Sequence, residues 1–322
     1  MSATTPETTW LVGDVGGTNA RFGLVSTDGS LLHSAILADA DYTQIRDAID
    51  AYLKQRGELP MPRAGAIAIA SPITGDQVHM TNTPWAFSIT GLCDQLGFER
   101  LEVINDFTAQ ALALPHLGPN DKLTVGGGSA ASGRPIGVLG PGSGLGVSGL
   151  IPSDKGWIPL TGEGGHATMS PSTARENAVL DRMRRHFDHV SAERCLSGPG
   201  LVNLYNALAG VDGVPAQQYT AAQITDPATT AADPLCREAT DMFCAMLGTM
   251  ASNLALTLGA QGGVYIAGGI VPRLGARFVE SRFRERFEAK GRLRPYLAAI
   301  ATYVVTHPLP AFLGCAAALR AN

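Results

Sequence analysis

Charge is scarce in this sequence. Asp, Glu, Lys and Arg fill 16% of its 322 positions, against about 25% in ordinary soluble domains. No extended Lys/Arg run occurs, and the formal net charge is −4. That argues against nucleic acid or a membrane surface as the main partner. Cysteine is sparse as well. Cys93, Cys195, Cys236, Cys244 and Cys315 never reach CxxC spacing, so a zinc site of the usual kind is not expected. An odd, scattered set fits a reducing, cytoplasmic setting. The polar opening MSATTPETTW has no apolar core of a leader, and no apolar run of 18 residues lacks polar breaks. The pattern GxxxxGK[ST] is missing, which excludes a P-loop enzyme.

What the chain does have is glycine turns between apolar runs. Gly13 to Gly23 reads GDVGGTNARFG, a strand, a turn and a strand. Gly16 and Gly17 are free to take positive φ there. Successive N–H groups from Gly13, Asp14, Val15, Gly16, Gly17 and Thr18 would form a concave anion site. A carboxylate beside such a site calls for a cation between the two, and Asp14 is placed to hold Mg²⁺ through water. Ile136 to Ile151, IGVLGPGSGLGVSGLI, repeats the design with Gly142, Ser143 and Gly144 at its tip. Two such hairpins point to a duplicated unit, one phosphate turn per copy. With 45% hydrophobic residues, a chain of this length forms one large domain or two lobes.

Apolar spacing places helices over Tyr42–Lys54, Ile89–Leu96 and Phe107–Leu114, and short strands over Ala64–Ala70 and Leu101–Ile104. Asp106 then stands at a strand's carboxyl end and on a helix N-terminus, where ligands bind in open α/β sheets. Thr173 and Glu176 make a capping box. A long buried helix includes Phe243 to Leu258. The strand Gly263–Val271 runs into a helix over Arg273–Lys290 with a solvated basic face, then a strand at Tyr303–Thr306 and a helix at Pro310–Arg320. The stretch Val211–Pro234 is the least regular and is expected to wrap the surface. Residues 1–9 are expected to be a mobile lead-in.

Six stretches occur in order: GDVGGTNARFG, INDFTAQALALP, GPGSGLGVSGLI, EGGHATMSP, ERCLSGPGLVNLY and GGVYIAGGIVPR. Together they resemble the bacterial glucokinases over nearly the whole chain. The resemblance implies an α/β, two-lobed fold of the actin-like, ribonuclease-H-like ATPases, with duplicated mixed-sheet lobes around a cleft. The small lobe would span 1–116, completed by 307–322, and the large lobe 117–306. It also implies transfer of a phosphoryl group from ATP to the 6-hydroxyl of glucose, with Mg²⁺ and a homodimeric assembly.

By the same match, Asn105, Asp106, Glu163, His166 and Glu193 form the glucose set, with Asp106 the general base. Gly268 and Gly269 would lie near the adenosine. A related family of the same fold holds zinc through a cysteine cluster. Cys195 stands alone here, which favours the zinc-free branch. Two alternatives remain at this stage: a kinase of the same fold acting on another hexose, and a non-catalytic sugar-sensing regulator. Only about ten residues precede the first strand, too few for a DNA-reading module.

Overall fold

A computed structural model describes residues 8–81 and 83–321. Residues 1–7 of the lead-in and Asn82 of the TNTPW turn lie outside the described residues. Contacts group the chain into two units. The first holds the described residues up to Leu117 with Lys155–Thr161 and the segment from His307 onward. The second holds Gly118–Asp154 and Gly162–Thr306.

The first unit is built on β1 (Thr9–Val15), β2 (Asn19–Ser26), β3 (Leu31–Ala38), β4 (Ala64–Ile69) and β7 (Arg100–Asn105), in the order β3-β2-β1-β4-β7. β5 (Gln77–His79) and β6 (Ala86–Ser88) form a separate ribbon. β1, β2 and β3 are antiparallel neighbours, while β1, β4 and β7 run parallel. Residue Val15 pairs with Ile69, and Ile69 with Asn105. Three strands therefore end at the same level.

Central parallel strands are covered on both faces, which is why β1 and β4 read as continuous apolar runs. On one face Leu11, Phe22 and Ile67 pack with Ile45, Ile49 and Tyr52 of α1 (Ile45–Leu53) and with Leu92 of α2 (Ile89–Leu96). On the other, Val12, Ala66 and Ala68 pack with Ala109 of α3 (Asp106–Ala113) and with Phe312 and Cys315 of α13 (Pro310–Arg320). Small side chains on this face let two helices lie close. Strand β11 (Gly156–Leu160) also belongs to this unit. The lead-in ends earlier than the sequence indicates. Thr9 is the first residue of β1, buried, with its hydroxyl donating to Pro60 O at 2.9 Å.

The second unit repeats the plan. β9 (Ile136–Pro141) and β10 (Leu145–Ser153) are antiparallel. β9, β12 (Val264–Ile266) and β13 (Thr302–Val305) are parallel, and β8 (Lys122–Thr124) lies antiparallel beside β13. The order β10-β9-β12-β13 matches β2-β1-β4-β7. Its helices are α4 (Ala174–Met183), α5 (Gly198–Asp212), α6 (Ala221–Thr225), α7 (Pro227–Ala232), α8 (Pro234–Leu258), α9 (Ile270–Leu274), α10 (Ala276–Val279), α11 (Phe283–Glu288) and α12 (Arg294–Ala298). Helix α8 is long and apolar enough to cross a membrane, yet most of its apolar window is buried inside the unit. Phe243, Met246 and Leu247 are fully buried in the core.

Several expectations change. Val211–Pro234 contains two short helices, α6 and α7, each capped by a side chain from Thr220 or Asp226. The strand expected over Gly263–Val271 covers only Val264–Ile266. The single helix expected over Arg273–Lys290 is three pieces, broken once at Gly275, with φ 54° and ψ −129°, and again over residues 280–282. Its basic face is not all solvated. Arg286 is buried and donates to Glu176 at 2.6 and 3.2 Å and to Thr249 Oγ1 at 2.9 Å. Thr173 Oγ1 accepts the Glu176 N–H as a cap, but the Glu176 carboxylate turns to Arg286 and to Ser172 N. Burial pushes that carboxyl up. Arg286 and the Ser172 N–H more than reverse this, leaving it below its ordinary value.

Candidate active site

In the first unit the candidate residues gather at the level where β1, β4 and β7 end. The turn after β1 closes through Gly16 N to Asn19 O at 3.1 Å, and Asp39 N reaches Thr18 O at 3.0 Å. Neither Gly16 nor Gly17 takes positive φ. The expected reason for glycine here is therefore not met. A Cβ on Gly16 would be 3.6 Å from Asn19 O, an ordinary contact. Cys315 of α13 supports the turn from below, its thiol donating to Gly13 O at 3.5 Å. Burial pushes that thiol up to about 12, so it stays protonated.

Asp14 lies on β1 opposite Arg21 on β2. Arg21 Nη1 is 3.2 Å from Asp14 Oδ2, and the two side chains are 46% and 25% exposed. Burial raises the Asp14 carboxyl above its usual range, opposed by the charge and hydrogen bond of Arg21. Arg21 does not stand out in the sequence. The period-two alternation of a hairpin is the signal that pairs it with Asp14.

Asn105 is the N-cap of α3. Its Oδ1 accepts from Phe107 N at 2.9 Å and Thr108 N at 3.3 Å, and Nδ2 is 3.5 Å from Ser71 O. The cap occupies the acceptor, which leaves Nδ2 as the group able to donate to a ligand. Asp106 is the first helical residue, half-buried, with Oδ1 accepting from Phe107 N at 2.9 Å.

In the second unit another set interlocks. Glu193 Oε2 accepts from Leu145 N at 2.9 Å, and Glu193 N donates to Gly165 O at 2.9 Å. A Cβ on Gly144 would stand 2.5 Å from that same Oε2, so glycine is required by close approach. His166 N donates to Glu163 O at 3.0 Å in the short turn Gly164–His166, and both side chains are exposed. The structure thus brings Gly142, Ser143, Gly144, Glu163, His166 and Glu193 together. Nothing in the sequence pattern reveals that Glu193 also braces the glycine hairpin.

Two further elements close on the hairpin. Gly198 N donates to Gly142 O at 2.8 Å, which sets the N-terminus of α5 beside the turn. Gly268, at φ +80°, packs its Cα against the carbonyl of Pro141, where a side chain would collide. Gly268 and Gly269 are exposed and follow β12 after Ala267. The spacing Gly144-x-Gly146-x-x-Gly149 lies along β10 and does not open a helix, so it is not a dinucleotide turn.

Two mixed sheets of one topology, each with a glycine hairpin, define a kinase of the actin-like ATPase fold. The glucokinase profile matches residues 11–322, and the chain belongs to the glucokinase family. A glucokinase of Paramagnetospirillum magneticum is 54% identical over 307 residues, covering 95% of this chain and 96% of that one. A crystal structure of glucokinase from an Antarctic psychrotroph has a TM-score of 0.90 at 37% identity, covering 98% of this chain and 99% of the other. Glucokinase from Balamuthia mandrillaris, solved in complex with glucose, has a TM-score of 0.77 at 20% identity, covering 98% and 93%. At that distance the likeness is one of fold.

Proposed function

We propose that the chain transfers the γ-phosphoryl group of ATP to the 6-hydroxyl of glucose, with Asp106 as general base. The observation that carries this reading is the shared strand level of Val15, Ile69 and Asn105. It sets the Asp14 turn and the Asn105–Asp106 helix start on one sheet edge, the usual place for ligands in such sheets. Glu163, His166 and Glu193 are the other proposed members of the sugar set.

Phosphoryl transfer needs donors on the phosphate oxygens and an aligned hydroxyl. Backbone N–H groups of the two glycine turns and the N-terminus of α5 supply donors. Asp14 offers a partly exposed, hard oxygen ligand with Oδ2 shared to Arg21, which fits Mg²⁺ held through water. When bound, the ion neutralises charge on the phosphate oxygens. Asp106 accepts the hydroxyl proton late in a loose transition state, so an ordinary carboxylate suffices. Glu193 keeps Oε1 for a sugar hydroxyl while Oε2 holds Leu145 N. Gly268 and Gly269 border the adenosine. A homodimer belongs to the same proposal, and light scattering tests it.

Asp106→Asn preserves size and the contact to Phe107 N while removing the base. Turnover should fall by about 10²–10⁴, with glucose binding by calorimetry weakened but still measurable. A variant keeping more than a tenth of the wild-type rate would take Asp106 out of the base role.

A further inference from the structure

Away from these residues, α4, α5 and the segment after α5 line an open cavity of about 420 Å³. Arg182, His186, Phe187, Asn203, Asn206 and Gln218 line it, and no carboxylate does. The guanidinium of Arg182 lies over Gly210, where a Cβ would stand 2.6 Å from Nε. It has no ion-pair or hydrogen-bond partner among the described residues. Asp181 is paired with Arg184, and Asp212 with Arg175, which also holds Glu238.

A half-buried guanidinium without an anion, beside an imidazole and three carboxamides, is a set of donors lacking their acceptor. Guanidinium matches phosphate oxygens with two parallel hydrogen bonds. Carboxamides both donate and accept, as hydroxyls require. The ring of Phe187 offers an apolar face, its orientation held by Arg194 stacked 4.5 Å from its centroid. Asn203 Nδ2 donates to Arg194 O at 3.0 Å, one residue after Glu193.

We propose that this cavity binds a small hydroxylated phosphate monoester of hexose-phosphate size. Its occupant acts on the sugar site through Asn203 and the Glu193–Arg194 peptide. The second clause rests on the proposed role of Glu193. The first does not.

The test titrates the intact enzyme, saturated with glucose, with glucose 6-phosphate, AMP, inorganic phosphate and gluconate by calorimetry. Glucose 6-phosphate should bind at millimolar concentration or tighter, above inorganic phosphate, and gluconate should not bind. Arg182→Gln should weaken the ester about 10- to 100-fold and leave kcat/KM for glucose unchanged without ester. Gly210→Ala guards against misfolding as an explanation. Alanine favours the helix over glycine, so Tm should hold or rise while the methyl displaces the guanidinium and weakens the ester.

Unchanged affinity in both variants would place the ester elsewhere and overturn the proposal. So would no binding by any phosphate ester, or equal binding of inorganic phosphate and glucose 6-phosphate, the mark of an adventitious ion only. If AMP binds and glucose 6-phosphate does not, the hexose-phosphate class is wrong. The ester should also shift KM for glucose in the wild type but not in Asn203→Ala. An Arg182-dependent ester that leaves KM unmoved would refute the link to Glu193.

Discussion

At the scale of single residues, the chemistry rests on side chains with two tasks. Asp14 is the clearest. Burial raises its carboxyl, and Arg21 works against that rise. An aspartate with a raised folded value protonates, as pH falls, before its counterpart in the unfolded chain does. Its ionised form at neutral pH therefore costs stability, and the form proposed to hold Mg²⁺ is lost at a higher pH than for an ordinary carboxylate. Arg21→Gln removes the opposing influence and pushes Asp14 higher still. The acid limb of kcat/KM at limiting Mg²⁺ should move to higher pH. A pH–rate profile measures this, and an unmoved acid limb would detach Asp14 from the metal. Asp106 is legible in the sequence as a strand-end carboxylate, because its position depends only on local pattern. Arg21 is not, because its role comes from a partner seven residues away across a hairpin.

At the scale of elements, periodicity exposes what is locally regular and hides what packing decides. The helix Ile89–Leu96 has the bounds its spacing predicts. β3 gives no signal because it is an edge strand with exposed alternate residues and no buried run. The piece after β12 reads as one helix because its aromatic and basic residues keep helical spacing across Gly275 and Ser281. The glycine hairpin of the second unit offers a controlled contrast. A methyl group added to Gly142 would meet no atom within 4 Å, whereas one on Gly144 would face the Glu193 carboxylate. Gly144→Ala should break the Glu193–Leu145 bond and cost about 1–3 kcal/mol, lowering Tm by several degrees and weakening glucose and ATP together. Gly142→Ala should leave Tm unchanged and weaken ATP alone. Thermal melts with steady-state kinetics on both variants decide it. A Gly142→Ala enzyme with normal KM for ATP would mean the nucleotide does not approach that turn.

At the scale of the whole molecule, one strand plan appears twice, β2-β1-β4-β7 and β10-β9-β12-β13. The paired glycine hairpins make that repetition legible in the sequence, since each opens its sheet with the same antiparallel pair. Each unit has its own core. One is centred on Leu11, Phe22 and Ile67, the other on Phe243, Leu247 and Phe283. Asp106 and Glu193 sit in different units, so without a shared ligand their substitutions should be independent in their effects on stability. Ligand stabilisation follows RT ln(1 + [L]/Kd), about 2.7 kcal/mol at 100 times Kd. Glucose should therefore raise Tm in the wild type by several degrees. Asp106→Asn and Glu193→Gln should each reduce that rise. In the double variant the loss should fall short of the sum, because the second removal acts on a ligand already loosened. Melting curves of the four proteins, with and without saturating glucose, give the cycle directly. If Asp106→Asn left the glucose-induced rise untouched while Glu193→Gln abolished it, Glu193 and not Asp106 would hold the sugar. Asp106 would then act on the proton without contributing to binding.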